Sequence, residues 1–577
     1  MSLYALANAL RERYIITEEP LDLDESIWAV QLAVQGIPSK HPDRCTMLSF
    51  WGSQLRDKYY TSKLQSDLDD GILLERQAVV LGDGDGPDQA ELLLSLALSL
   101  WQRYDTTSSK SDLEECFSHL QSVLNTSNAI TASRVNAGIA ALCLYGIVGD
   151  WLQAYKTANA TAPLIPKLTA QSLQNTDKQH IRHLIVGFHS RAAAVALNAG
   201  EGPLVALQFL EQGRGVIAAS LEELRTDILD LRSKHPEMAE KFIRLKNTLD
   251  VPPSRNAFLS DENIGPSSQV QTDQRYNAGN EFDKLVIDIR RLPGFEDFLR
   301  APSEEEIRNA ARCGPIVVIN VSTYRCDALL IEQHQIRSLC LPHLLKKDID
   351  EKGYRRNLES PKVLAWLWDV IASPILDALG LTYPPLSNDD WPHVWWIPTG
   401  SLSHFPIHAA GRHSEFSTDT VIDRVMSSYS SSIKAIISSR QSTARENSLR
   451  IQDQALLVAM QDTPGHSRLL YATKEIEALQ CLCRSMEIGI LETGRCKQEI
   501  LTHLPNCKIF HFAGHGYTDE VDPSQSSLLL DDWNTDSFTV STLLDMNLHE
   551  RPPFLAYLSA CGTGEVKDED LRMKAFT

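Results

Sequence analysis

Three stretches in the first half of the chain repeat at a fixed interval of 45 residues. Leu10–Tyr14 (LRERY), Leu55–Tyr59 (LRDKY) and Leu100–Tyr104 (LWQRY) align, as do Asp22–Ile27 (DLDESI), Asp67–Ile72 (DLDDGI) and Asp112–Phe117 (DLEECF). Pro42-Asp43 and Pro87-Asp88 keep the same offset. A constant period of this size marks stacked supersecondary units, each burying its apolar face against the next. Leu48, Trp51 and Leu55 fall at helical spacing, and so do Leu93, Leu96 and Leu100. Each unit therefore reads as two helices, the second opened by Asp22, Asp67 or Asp112 as N-cap. A fourth, shortened copy is expected from Arg134, with Asp150–Tyr155 in the DLDESI position. A further pair is expected at Arg182–Ala199 and Pro203–Gln212.

At 577 residues the chain is too long for one core. A net charge of −20 disfavours nucleic acid and anionic membrane as partners, because both are polyanions. The 11 cysteines are irregularly spaced and odd in number. That argues against a disulfide framework and for a reducing, cytoplasmic location. The N-terminal MSLYALANALRER has its charges after the apolar run and reads as a helix, not a signal peptide. The longest uncharged stretch, between Arg134 and Asp150, is shorter than the ~20 residues that cross a bilayer. The DGDGPD run (Asp83–Asp88) lacks a calcium loop's closing glutamate and reads as an inter-helix loop.

The expected organisation is an all-α helical-repeat array over 1–250, a linker over 251–280 and an α/β domain over 281–577. Pro252, Pro253, Ser254, Gly265, Pro266, Ser267 and Ser268 mark the linker. Beyond it, PIVVINV (Pro315–Val321) and CDALLIE (Cys326–Glu332) read as paired strands. HVWWIP, ALLVAM, KIFHF and FLAYLS follow as further strands. Helices expected at Lys362–Leu379, Ser430–Ser439, Thr473–Leu482, Lys497–Leu504 and Ser541–Asp545 separate most of them. This alternation predicts a mostly parallel sheet, with sites beyond the carboxyl ends of its strands.

Two strands end in reactive side chains. His515 sits in HFAGHG (His511–Gly516) and Cys561 in LSACGTG (Leu558–Gly564). A thiol and an imidazole at neighbouring strand ends, each beside glycine, fit a cysteine nucleophile with a histidine base. Glycine at 516 allows a sharp turn and a backbone N–H aimed at a substrate oxygen. His511 is four residues from His515, ~13 Å along a strand, so the pair cannot share one metal ion. His511 reads as a core histidine bonded to a backbone group. His404, His408 and His413 have no carboxylate or cysteine at ligand spacing, so no metal is expected there.

The motifs WWIPTGSLSHFPIHAAG (Trp395–Gly411), SSYSSSIKA (Ser427–Ala435), HFAGHG and LSACGTG resemble those of CHAT domains. These are caspase-like peptidase domains, distantly related to separases and found with tetratricopeptide arrays. The repeats resemble such an array, with a longer period than its usual ~34 residues. The LEQGRG stretch resembles the region preceding the domain in fungal members. The resemblance implies a cysteine endopeptidase with Cys561 as nucleophile and His515 as general base or acid. The backbone N–H groups of Gly516 and Cys561 would form the oxyanion hole, and no cofactor is implied. The implied partners are a protein or peptide substrate and a regulatory protein held by the repeats. Only 16 residues follow Cys561, fewer than the resemblance leads one to expect. The domain is therefore read as truncated there, and a catalytically inert scaffold is the alternative. A non-peptidase acyl transferase using the same dyad is a third reading. Asp519, Asp522, Asp531 and Asp532 are candidates for a pocket taking a basic side chain, or for a solvated loop.

Overall fold

A computed structural model describes residues 3–82, 87–168, 176–219, 231–232, 234–250, 268–295, 298, 300–354, 357–385, 391–414, 417–437, 440, 454–491, 493–519, 525–546 and 555–560. The N-terminal half is a solenoid of paired helices. They are α1 (Leu3–Thr17) with α2 (Pro20–Gly36), α3 (Arg44–Ser62) with α4 (Gln65–Leu81), and α5 (Pro87–Thr107) with α6 (Lys110–Asn125). Next come α7 (Thr131–Val148) with α8 (Trp151–Thr161), and α9 (Thr176–Asn198) with α10 (Pro203–Ala219).

The repeated tyrosine marks the turn inside each unit. The N–H groups of Glu18, Lys63 and Ser108 donate to the carbonyls of Tyr14, Tyr59 and Tyr104 at 2.7, 2.9 and 2.7 Å. All three donors are left-handed, with φ of 56°, 55° and 55°. In the shortened fourth unit Gly149 (φ 83°) closes the same bond onto Tyr145. One left-handed residue after each first helix reverses the chain and satisfies a terminal carbonyl.

The repeated aspartates are not N-caps, contrary to expectation. Asp22, Asp67 and Asp112 lie in the first turns of α2, α4 and α6, whose N-caps are Glu19, Leu64 and Ser109. The carboxylates of Asp22 and Asp112 form ion pairs instead, and that of Asp67 accepts the Ser62 hydroxyl at 2.6 Å. Arg13 pairs with Asp22, and Arg103 binds Asp112 through two bonds of 2.8 and 2.7 Å. Lys58, at the equivalent position, reaches back to Asp24 of the preceding unit at 2.8 Å. Arg103 makes the same backward link to Asp69 at 3.1 Å. Charge thus ties unit to unit along one side of the array. Only α8 is capped as expected, by the Asp150 carboxylate on the Gln153 N–H.

α11 (Pro236–Asp250) packs against α12 (Ser268–Ile289) around Phe242, Phe282 and Phe298. Of the expected linker, 251–267 lies outside the described residues and 268–280 belongs to α12. The short α13 (Glu304–Ala310) is closed by a capping box between Ser303 and Glu306.

A five-stranded sheet follows, in the order β3-β2-β1-β4-β5. Its strands are β1 (Ile316–Asn320), β2 (Asp327–Ile331), β3 (Ile336–Cys340), β4 (His393–Pro398) and β5 (Met426–Tyr429). β1 pairs antiparallel with β2, as predicted, and parallel with β4. Every residue of β1 is buried because both faces of the sheet are covered, which explains its uninterrupted apolar run. On one face Ile316, Val318, Leu329 and Ile397 share a core with Val135, Ile139, Phe188, Leu207 and Leu210 of the solenoid. On the other, Val317, Ile319, Val394 and Trp396 meet Trp368, Ile371 and Ile375. The last two helix pairs of the solenoid are therefore a structural layer of the α/β region.

Between β3 and β4, α14 (Lys346–Tyr354) precedes the single helix expected at 362–379. That helix runs as α15 (Pro361–Leu367), a π-turn (Trp368–Ala372) and α16 (Ser373–Ala378). Pro374 has no N–H to give to the carbonyl four residues back, and the wider turn accommodates the gap.

A second sheet is wholly parallel, in the order β12-β8-β6-β7. It comprises β6 (Gln454–Ala459), β7 (Gly489–Leu491), β8 (Ile509–Ala513) and β12 (Leu555–Ser559). α17 (Ala472–Ser485) and α18 (Lys497–His503) are its crossovers. A small antiparallel sheet of β9 (Gly516–Tyr517), β10 (Ser527–Leu528) and β11 (Phe538–Thr539), then α19 (Val540–Asp545), leads to β12.

Candidate functional site

β8 and β12 are neighbours, paired in parallel from Ile509–Leu555 through Ala513–Ser559. His515 follows Ala513 by two residues. Cys561 follows Ser559 by the same two and lies outside the described residues. The Gly514 N–H donates to the Ser559 carbonyl at 3.1 Å, so the end of β8 stays bonded to the end of β12. Position 514 requires glycine: a Cβ there would stand 2.5 Å from the Phe512 ring and 2.8 Å from Met460 Cβ.

His515 is half-buried, and its Nε2 lies 2.7 Å from the carbonyl oxygen of Ser467. A carbonyl only accepts, so Nε2 carries the proton, and Nδ1 holds the lone pair of the neutral ring. Ser467 belongs to the loop after β6, and its carbonyl is a site component that carries no sequence signal. The ring of His466 lies 5.3 Å from that of His515, at 36°. Gly516 opens β9 opposite Leu528, so the chain runs on as strand there.

His511 is buried, as expected, but its partner is a carboxylate and not a backbone group. Nε2 meets Glu475 Oε1 at 2.9 Å, and the ring stacks on Tyr557 at 5.0 Å and 6°. Ser559 donates its hydroxyl to Glu475 Oε2 at 3.2 Å. Glu475, in the first turn of α17, thus binds β8 and β12 together two residues before Cys561.

Residues 361–574 match the family model for the CHAT domain. The C-terminal region of this chain carries a CHAT domain. The match begins at α15 and takes in both His515 and Cys561, while β1–β3 precede it. No curated protein matches the chain. Among solved structures it is similar to two crystal structures of nearly identical TPR-like repeats from Podosopora anserina. Each is 15% identical and covers 38% of this chain, and 96% or 95% of its own length, at a TM-score of 0.27. At that score the likeness carries no argument. The repeat reading rests on the helix pairs described above.

In the CHAT domain burial raises the pKa of three thiols. Cys507, whose Sγ donates to the Leu504 carbonyl, is pushed up to about 11, and Cys483 and Cys496 are raised. Among the described thiols, these three are poorly disposed to form a thiolate. Both carboxylate oxygens of Asp532 accept from the Lys497 N–H, at 3.2 and 3.0 Å, which holds the start of α18. The Asp519 N–H donates to the Ser526 hydroxyl oxygen at 3.1 Å. Asp522 lies outside the described residues. His413 donates to the Ala409 carbonyl, and His408 Nδ1 pairs with the Tyr429 hydroxyl.

One described helix, α7, is long and apolar enough to cross a membrane, but 56% of it is buried inside the array. Val135, Ile139 and Leu142 join the solenoid–sheet core, and Ala137, Ala141 and Leu144 pack with the preceding repeat helices.

Proposed function

We propose that the CHAT domain is a cysteine endopeptidase in which Cys561 is the nucleophile and His515 the base. The observation that carries this reading is the parallel register of β8 with β12, which sets two strand ends side by side. In the proposed cycle His515 Nδ1 takes the thiol proton as sulfur attacks the substrate carbonyl carbon. The backbone N–H groups of Gly516 and Cys561 receive the oxyanion, each worth about 3 kcal/mol of the barrier. The imidazolium returns its proton to the leaving amine, and water then releases the acyl group by the same exchange. The Ser467 carbonyl supports this role, because holding the Nε2 proton leaves the lone pair on Nδ1. The solenoid is the proposed holder of a protein substrate or regulator. Ten described cysteines, all free, fit a reducing, cytoplasmic setting.

An electrophile that labels catalytic thiols tests the proposal. Wild type is expected to label at Cys561, and Cys561→Ala and His515→Ala to lose that labelling. Cleavage of a peptide library would then separate a peptidase from an acyl transferase. Wild-type labelling in His515→Ala would sink the dyad. An unlabelled wild type that still binds a partner through residues 1–250 would establish the inert scaffold.

A further inference from the structure

The Ser467 carbonyl can orient His515 only if the loop that carries it is itself fixed. That loop runs from Met460 to Tyr471, and Ser467 is exposed. Within it the His466 N–H donates to the Thr463 carbonyl at 3.0 Å, the Leu469 N–H to the Gln461 carbonyl at 2.9 Å, and Arg468 pairs with Asp462 at 3.2 Å; at its start the Met460 N–H donates to the Ala513 carbonyl at 2.8 Å. Gly465, at φ 81°, gives it a left-handed residue two positions before Ser467.

A second element grips this loop. Trp533 Nε1 donates to the Pro464 carbonyl at 2.9 Å. Its ring meets His466 edge-on at 5.2 Å and 65°, and the His466 ring in turn lies tilted beside that of His515. Trp533 thus contacts the same turn, Pro464–Ser467, whose Ser467 carbonyl meets the His515 imidazole. The base of Trp533 is firm. Leu530 is fully buried, and the Asp532 carboxylate is bonded to the start of α18. The Thr535 and Asp536 N–H groups both close onto the Asp532 carbonyl at 2.9 Å.

We infer that Trp533 is a positioning residue for the dyad, holding the Pro464–Ser467 turn so that the Ser467 carbonyl keeps the proton on His515 Nε2. It acts through Pro464 and His466. Without the grip, water replaces the Ser467 carbonyl and the proton distributes over both nitrogens. The Nδ1 lone pair is then available only part of the time. This inference rests on the dyad reading above.

The test follows carbamidomethylation of Cys561 in the full chain by iodoacetamide, read by mass spectrometry. Trp533→Phe keeps an aromatic ring and removes the N–H, and it should slow labelling roughly tenfold. His466→Ala, at an exposed position, removes the other contact and should slow it about threefold. In a His515→Ala background neither change should add to the loss, because both act through that imidazole. Trp533→Phe and His466→Ala labelling at the wild-type rate, with His515→Ala slow, would overturn the positioning role and leave the dyad standing. Equal fold-losses with and without His515 would also overturn it, since the effect would then be structural. Wild-type labelling in His515→Ala alone would instead remove the dyad, and the positioning role with it.

Discussion

His515 donates its Nε2 proton to the backbone carbonyl of Ser467 across 2.7 Å, and this bond sets which nitrogen can act as a base. The strand leading into His515 is held just as closely, and both constraints can be tested.

Gly514 leaves no room for a side chain between Phe512 and Met460. Gly514→Ala is expected to destabilise the chain by about 2 kcal/mol, the usual cost of overpacking a tight site. It should also slow Cys561 labelling, because the end of β8 moves with His515. Urea midpoints and labelling rates check both effects; an Ala variant equal to wild type in each would show that the backbone yields freely.

Glu475 accepts from His511 on β8 and Ser559 on β12. Glu475→Ala leaves the buried His511 Nε2 without that acceptor, and a loss of about 2 kcal/mol is expected. Glu475→Gln retains an acceptor oxygen and should lose less. Thermal melts of the two variants give the order directly.

Arg103 beside Asp112 holds the aspartate carboxyl below the ordinary carboxylate range. A depressed carboxylate stabilises the fold above its unfolded value and loses that contribution as pH falls through the lowered one. The stability gap between wild type and Asp112→Asn should therefore be full near neutrality and close on acidification below about pH 4. Arg103→Ala should cost about 1–2 kcal/mol at neutral pH, since the pair is largely shielded from water. Urea titrations across pH would disprove the linkage if the gap stayed constant.

Tyr324, in the turn between β1 and β2, packs on Gly146 of α7 and donates its hydroxyl to the Cys143 carbonyl at 3.2 Å. A Cβ at 146 would stand 2.5 Å from the Tyr324 ring. Gly146→Leu and Tyr324→Ala should each destabilise by about 3 kcal/mol, one by overpacking and one by a cavity. A single cooperative transition by circular dichroism and tryptophan fluorescence is expected, because the solenoid and the sheet share a core. Two separate transitions in wild type would contradict that coupling.

The helix pairs were legible because the 45-residue period and the apolar spacing reflect one physical need, burial against the next unit. The roles of Asp22, Asp67 and Asp112 were not. An aspartate before an apolar run suits a cap and a first-turn ion pair equally, and Arg13 and Arg103 reach theirs only once the chain reverses at Glu18 and Ser108. β1, β4, β6, β8 and β12 stood out as apolar runs. β5 and β9–β11 are short and partly exposed, so their residues carry no such pattern. In the site, His515 was visible through HFAGHG, whereas Ser467 contributes only a carbonyl, which every residue has. Trp533 and Glu475 reach their partners across 69 and 36 positions of sequence, distances over which spacing says nothing.

The covering of β1 and β4 by α7–α10 gives the solenoid two unlike ends. Among the described residues, the core around α1 to α4 is made by repeat helices alone, whereas α7 to α10 share theirs with the sheet. The opposite end is built into the body of the molecule and keeps one fixed angle to it. The α7–α10 end therefore cannot turn against β1 and β4 without opening the core that they share.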